Sequence, residues 1–388
     1  MTSKEAGNFL ERNPKKSMTV IVVISLIMID FLTASLYRFF FGYHFFSLQE
    51  RVLQEERAIE MAYRISSETY HHDLKKKFSG VGIWGDKRYT ILTDSLGFKN
   101  GSVKDIPLTS PNRRIVFIGD SFTEGIGVPY EETFVGLIAH RLLPRNIEVL
   151  NAAASSYSPI IYWRKIKYLI EEVGLQFDEL FVFIDISDIP DEVNRYTLSE
   201  HHTVDSREDK GDTGRMGEEG TVGSIKNLIR ENTILPYFLL DKTYDLLSPP
   251  KVQTPFQRWT IDKTLFPVYG EKGLEKATLY MDRLFELLKK HNVKLTIAVY
   301  PWPDQIVNND LNSIQVTFWK KWAEEKKIPL LNYFPCFVAS NRSETESKLL
   351  ITDFFIKGDD HWNERGHQLI AEQFLSFYER GRACKKNA

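Results

Sequence analysis

Apolar and polar positions divide this 388-residue chain into stretches of different character. Residues 18–36 are almost continuously apolar, broken only by Asp30 and a few hydroxyls. About 20 such residues cross a bilayer as a helix. Residues 47–78 are polar with a heptad-like recurrence at Leu48, Val52, Ile59 and Ala62, which predicts a helical stalk. Beyond residue 89 the pattern changes again. Short apolar runs at 115–118, 147–150, 180–186, 295–300 and 329–333 are bounded by turn residues and predict buried parallel strands. Helix-length segments lie between and after them, at 133–143, 160–173, 274–290, 311–327 and 364–380. In the third of these, Leu274, Ala277, Met281, Leu284 and Leu288 recur at helical spacing. The alternation predicts a three-layer α/β/α sandwich around a mostly parallel five-stranded sheet.

One stretch interrupts the alternation. Residues 203–222 carry Asp205, Arg207, Glu208, Asp209, Lys210 and Asp212 among glycines, with almost nothing apolar to order them. The segment reads as a flexible insertion around 200–225 after the third strand, serving either as a lid over the site or as a solvated surface loop.

The flanks orient the first apolar run. Lys4, Arg12, Lys15 and Lys16 precede it, and Tyr37, Phe39, Phe40, Phe41 and Tyr43 follow it. That order predicts an uncleaved anchor with a cytoplasmic N-terminus and the bulk of the chain in the periplasm or outside the cell. A cleaved signal peptide is the alternative. It would have a shorter apolar region and a better small-x-small site than Thr33-Ala34-Ser35. Asp30 reads either as a tolerated polar residue near the far end or as a contact to a partner helix. The expected division is therefore a cytoplasmic N-terminus at 1–17, a transmembrane anchor in the inner membrane at 18–38, and a stalk or linker at 39–88. A main α/β domain at 89–380 and a tail at 381–388 follow.

Charge and cysteine content narrow the function classes. A formal net charge of −2 gives no reason to expect a nucleic-acid partner. The two cysteines, Cys336 and Cys384, make neither a metal cluster nor a disulfide framework. Cys336 reads as a small core residue, and a bond between the two would require an oxidising compartment.

The chemistry gathers at the two ends of the α/β pattern. The first strand stops at Gly119-Asp120-Ser121, which puts Ser121 at the carboxyl edge of the sheet, where α/β sites form. A serine nucleophile needs a base and a group to orient that base. His361 lies just before the final helix, with Asp359 two residues ahead. Strand-end serine and Asp-x-His, about 240 residues apart in an α/β frame, point to acyl chemistry. Three other features carry no site. His367 reads as a surface or capping residue, and His71-His72-Asp73 as a solvated helix face. No Walker lysine follows Gly125 or Gly127. No metal or cofactor is expected.

With these residues in place, the chain resembles the SGNH (GDSL-type) hydrolase superfamily over roughly 89–380. Gly119-Asp120-Ser121, followed by Phe122-Thr123-Glu124-Gly125, matches the first family block; Asp359, His361-Trp362-Asn363 and Gly366 match the last. The Asp-x-His-Trp form is most similar to the branch containing the alginate O-acetylation proteins. The resemblance implies a flavodoxin-like SGNH fold and a triad of Ser121, His361 and Asp359, with no cofactor. In the commoner Asp-x-x-His spacing the acid would fall at Gly358. It also implies an oxyanion hole of the Ser121 N–H, the Ser156 N–H and the Ser187 side chain. Ser156 stands where the second block has glycine, five residues after Asn151. Ser187, in Asp185-Ile186-Ser187-Asp188, stands where the third block has asparagine. Asp120, Asp188 and Trp302 are candidate substrate contacts; Trp302, in VYPWPDQI, would either stack on a sugar or pack as a buried indole. The implied activity is a serine esterase acting on O-acyl, chiefly O-acetyl, groups of a glycan. The alternatives are an O-acyltransferase served by a membrane acyl-transfer partner, or a catalytically degenerate binding or assembly protein.

Overall fold

In the computed structural model, residues 13–85, 87–207, 228–240, 255–338 and 343–384 are described. They fall in two units, 1–55 with 209–252 and 56–208 with 253–388. The first unit is dominated by α1 (Pro14–Phe41), 28 residues long and the one described helix long and apolar enough to cross a membrane. A proline opens it, and Gly42, at φ 77°, closes it by donating its N–H to the Arg38 carbonyl. Large apolar side chains from Met18 to Phe41 are exposed around it. A helix with apolar side chains exposed along most of its length is suited to lipid rather than water.

The next helix, α2 (Ser47–Tyr63), ends well short of the expected residue 78. From Arg64 onward the chain forms two antiparallel hairpins. Strand β1 (Arg64–Ser67) pairs with β2 (His71–Leu74), and β3 (Ser79–Trp84) pairs with β4 (Lys87–Leu92). The polar residues here are not a solvated face. Asp73 is buried and accepts from Lys165 Nζ at 2.7 Å and from the Tyr70 hydroxyl at 2.6 Å. His72 Nε2 lies 2.7 Å from the Ser155 carbonyl. Burial pushes the His72 imidazole down to about 4, so it is neutral at pH 7.

The second unit is built on one sheet. Its five strands are β5 (Arg113–Ile118), β6 (Ile147–Asn151), β7 (Glu179–Ile184), β10 (Lys294–Val299) and β11 (Leu330–Asn332), in the order β11-β10-β7-β5-β6. Every pairing is parallel. Between β7 and β10 lies a small hairpin, β8 (Tyr196–Leu198) with β9 (Val204–Ser206). The segment expected to be flexible from residue 203 thus begins with an ordered strand; its residues 208–225 lie outside the described residues.

Helices cover the sheet. Three follow the first strands: α3 (Ser121–Glu124), α4 (Phe134–Leu142) and α5 (Pro159–Lys167). Further along come α6 (Asp188–Asn194), α7 (Lys272–Lys290), α8 (Ile314–Lys326) and α9 (Glu364–Arg380). Residues Ile115 to Ile118 and Leu180 to Ile184 are buried throughout, as expected of interior parallel strands covered on both faces. At the centre Phe117 packs on Phe134, Phe181 and Phe374. Truncating such a ring to alanine costs about 3–5 kcal/mol. Cys336 and Cys384 are disulfide-bonded, tying the end of the last helix back to the segment after β11.

Candidate active site

Strand β5 delivers Ser121. Gly119 is required where the strand ends, because a Cβ there would lie 2.2 Å from Thr123 Oγ1 and 3.0 Å from the Phe183 carbonyl. Asp120 then caps α3, its Oδ1 accepting from the Phe122 N–H at 3.0 Å. The cap turns the serine out of the strand line and onto the first residue of the helix. Gly125, at φ 75°, terminates the helix one turn later.

The loop before α9 supplies the partners. His361 Nε2 lies 2.7 Å from Ser121 Oγ, and His361 Nδ1 lies 2.5 Å from Asp359 Oδ1. A carboxylate beside Nδ1 fixes the proton there, leaving Nε2 free to accept from the serine. The same Asp359 oxygen also accepts the His361 backbone N–H at 2.9 Å. Burial raises the Asp359 pKa, but the hydrogen bond and charge of His361, with help from its N–H and from Trp84, outweigh burial. The net effect holds the carboxyl below its usual range, so it is ionised at pH 7.

Sequence reasoning missed the group that completes this arrangement. Trp84, on the β3–β4 hairpin, donates its indole N–H to Asp359 Oδ2 at 3.0 Å and meets the His361 ring edge-on at 5.1 Å. Phe122 contacts the imidazole at 4.6 Å. Both carboxylate oxygens of Asp359 are therefore held, and two aromatic rings confine the imidazole. The signal was an isolated tryptophan 275 residues from its partner. Asp360 lies beside the triad, immediately before His361. Burial, then the neighbouring charges of Asp359, Asp304 and Asp185, push its carboxyl up to about 8.

The strands beside β5 position the oxyanion candidates. Strand β6 pairs with β5 through Phe117 and Asn151, and Asn151 Nδ2 donates to the Thr123 carbonyl at 2.8 Å. The loop after β6 holds Ser156 at φ 66°, the left-handed conformation that glycine adopts without strain. Its carbonyl accepts from the Tyr196 hydroxyl at 2.6 Å, while no residue among those described pairs with its N–H. The neighbouring Ser155 N–H donates to Glu124 Oε2 at 2.7 Å. Glu124 is buried at the end of α3 and gripped by both terminal nitrogens of Arg64, at 2.9 and 3.1 Å. Lys99 Nζ, buried alongside, holds the carbonyls of Gly125 and Val128. Burial, against the pull of Glu124, brings Lys99 down to about 7.

Two expectations, on Ser187 and on Asp120 with Asp188, are corrected, and two open alternatives, at Trp302 and His367, are narrowed. The Ser187 hydroxyl donates to Asp185 Oδ1 at 2.8 Å and so is not a free donor for an oxyanion. Trp302 is 7% exposed, packs on Phe122 and donates its N–H to Asp185 Oδ2 at 3.0 Å; it is the buried indole and does not stack on substrate. Asp120 and Asp188 are both buried, at 3% and 0% exposure, so neither is a substrate contact, and Asp188 Oδ1 is left without a hydrogen-bond partner among the described residues. Asp120 accepts from Phe122 and from the Tyr300 hydroxyl, and Asp188 from the Tyr162 hydroxyl at 2.8 Å. His367 is buried rather than on the surface, its Nδ1 accepting the Phe134 N–H that opens α4.

Asp120, Asp185 and Asp188 place carboxylate oxygens within 4.8 Å of one another, the spacing of a metal site. The surrounding donors do not fit a cation. Indole, phenol and backbone N–H groups point into the cluster from Trp302, Tyr300, Tyr162 and Phe122. Burial, with the charge of Asp185 next, pushes Asp120 and Asp188 well above the carboxylate range. The raised values favour protons on Asp120 and Asp188, and Asp188 Oδ1 has no hydrogen-bond partner among the described residues.

No family model and no curated protein matches the chain. Solved structures do. The chain is similar to the acetyl xylan esterase AlAXEase at 13% identity, with 68% of this chain and 98% of that one covered and a TM-score of 0.40. It is similar to a GDSL-like lipase from Bacteroides thetaiotaomicron at 11% identity, covering 71% and 93%, with a TM-score of 0.37. It is likewise similar to a variant of Axe2, an acetyl-xylooligosaccharide esterase from Geobacillus Stearmophilus, at 14% identity, covering 70% and 95%, with a TM-score of 0.34.

Proposed function

We propose that this chain belongs to the SGNH (GDSL-type) superfamily and is a serine esterase whose triad is Ser121, His361 and Asp359. One observation carries the reading: a continuous hydrogen-bond path from Ser121 Oγ through His361 to Asp359, with steps of 2.7 and 2.5 Å. His361 Nε2 takes the serine proton as Oγ attacks the acyl carbonyl, and Asp359 stabilises the imidazolium. The tetrahedral oxyanion is received by the N–H groups of Ser121 and Ser156. The protonated His361 gives its proton to the departing alcohol. Water, deprotonated by the same imidazole, then releases the acid and restores Ser121. The substrate is an O-acyl, chiefly O-acetyl, glycan. The likeness of the Asp-x-His-Trp block to the alginate O-acetylation branch supports that choice.

Helix α1 is read as a single-pass inner-membrane anchor that leaves the esterase in the periplasm. The basic residues before it and the Cys336–Cys384 disulfide, which belongs in an oxidising compartment, both support this placement. A second reading, O-acyl transfer to a sugar hydroxyl with a membrane partner supplying the acyl group, is favoured by the near-burial of Ser121, which is 8% exposed and so poorly open to water.

Full-length protein in detergent should release acetate from acetylated oligosaccharide. The Ser121→Ala variant should lose this activity by roughly 10⁶-fold in kcat. Acetyl transfer to an added oligosaccharide in place of acetate release would select the second reading. Turnover retained by Ser121→Ala would reject both.

A further inference from the structure

Residues 234–240 read Ile-Leu-Pro-Tyr-Phe-Leu-Leu, an apolar run between Glu231-Asn232 and Asp241-Lys242. They lie in the same unit as α1, and 235–240 are helical. The two N–H groups that open this short helix, from Ile234 and Leu235, donate to the two carboxylate oxygens of Asp30 at 2.9 and 2.8 Å. Asp30 is the single acidic residue of α1. Further along, the Tyr237 ring lies 4.5 Å from Phe46, just beyond α1. Leu235, Phe238, Leu239 and Leu240 remain 42–55% exposed.

We propose that residues 234–240 are a second lipid contact: a short helix lying in the leaflet that holds the C-terminal half of α1, with Asp30 as its N-terminal cap. The inference rests on the reading of α1 as a membrane anchor. Depth supports it. Asp30 precedes the aromatic belt at Tyr37 by seven residues, roughly 10 Å along a helix. Interfacial helices bury their apolar face about 5–10 Å into a leaflet. Seven residues cannot span the bilayer, and polar residues flank the run in sequence, Glu231-Asn232 before it and Asp241-Lys242 after it. Hydrogen-bonding logic agrees. At that depth no water is available for the open N–H groups of a helix start, and Asp30 meets two of them. The same contact accounts for a carboxylate in an otherwise apolar span. Both faces of the contact then point apolar side chains outward, which suits lipid tails.

The test uses the full chain in nanodiscs of phosphatidylethanolamine and phosphatidylglycerol. A nitroxide is attached at Leu240→Cys, and in a separate protein at Leu26→Cys within α1; both native cysteines are already paired. Collision with oxygen, which concentrates in lipid, is compared with collision with a water-soluble nickel chelate. The expected result is that both sites favour oxygen. Asp30→Ala should then shift Leu240→Cys toward nickel while Leu26→Cys stays with oxygen, and Asp30→Asn, which keeps one acceptor, should shift it less. Nickel access at Leu240→Cys with oxygen access at Leu26→Cys overturns the inference and leaves the anchor standing. Nickel access at both overturns the anchor and the inference with it. Exclusion of both reagents from Leu240→Cys would mean that protein covers the helix, and that too overturns it.

Discussion

Aspartates on the two sides of Ser121 meet opposite fates. Behind the imidazole, Asp359 has a cationic partner in the making, an indole N–H and a backbone N–H, and these hold it ionised despite its burial. Beneath the serine, Asp120 and Asp188 share their burial with Asp185 and have only neutral donors, so the pKa of each is pushed upward, toward the protonated form. Residue type decides neither outcome. What decides is whether a positive charge, or only dipoles, faces the carboxyl. One side of the serine thus provides the charge that catalysis uses. The other provides a neutral hydrogen-bonded floor that sets where α3 and the β7 loop lie.

The comparison can be broken at four points. The largest effect belongs to Asp359→Asn, which keeps the shape but loses the charge and favours the wrong imidazole tautomer. Its kcat on an acetyl ester should fall about 10⁴-fold with little change in thermal stability. Trp84→Phe removes one donor from the same carboxylate and should cost about tenfold in kcat. Because the indole N–H helps hold Asp359 down, its loss makes that carboxylate more basic and so a stronger partner for the adjacent imidazolium, and the acid limb of the pH–kcat profile should move to higher pH. A fall in kcat with an unmoved limb would make Trp84 a packing residue only.

Asp188→Asn tests the other side. A carboxyl whose folded pKa is raised binds its proton more tightly in the folded protein. Its contribution to stability is therefore complete below the unfolded value near 4 and declines as pH rises toward the folded value. Asp359 has the opposite sign: its stabilisation is present above the unfolded value and is lost as pH falls through the folded one. Denaturant midpoints should therefore show Asp188→Asn gaining on the wild type as pH is raised from about 4 to 8. A constant difference across that range would mean that Asp188 is ionised in the native state. The smallest effect is expected at Ser156→Gly. Relief of the left-handed backbone should raise stability by about 0.5–1 kcal/mol in a denaturant titration. Turnover should persist, because the proposed role uses only the backbone N–H.

The same division governs how much could be read from the chain. All five sheet strands were legible as short apolar runs, because each packs against helices by its own composition. The serine and histidine of the site were legible because each sits at an element boundary: Ser121 after a strand, His361 before a helix. The strands from Arg64 to Trp84 were not legible. Their polar side chains resemble a solvated surface until their partners are known, and those partners are remote. Asp73 meets Lys165 across 92 residues, and Arg64 meets Glu124 across 60. Trp84 was missed, and Trp302 left between two readings, for the same reason. An indole N–H that ends on a buried carboxylate leaves no local mark in sequence. Ser187 differs, because its partner Asp185 is two residues away. Its hydroxyl was committed locally, and the expected oxyanion role yielded to a turn.

The most direct measurement is labelling of the full-length protein with a fluorophosphonate, followed by peptide mass spectrometry, with Ser121→Ala and His361→Ala alongside. An adduct on Ser121, absent from Ser121→Ala and strongly slowed in His361→Ala, is the result this account predicts. A folded protein that takes up no label, or one that is labelled equally fast without His361, would contradict it.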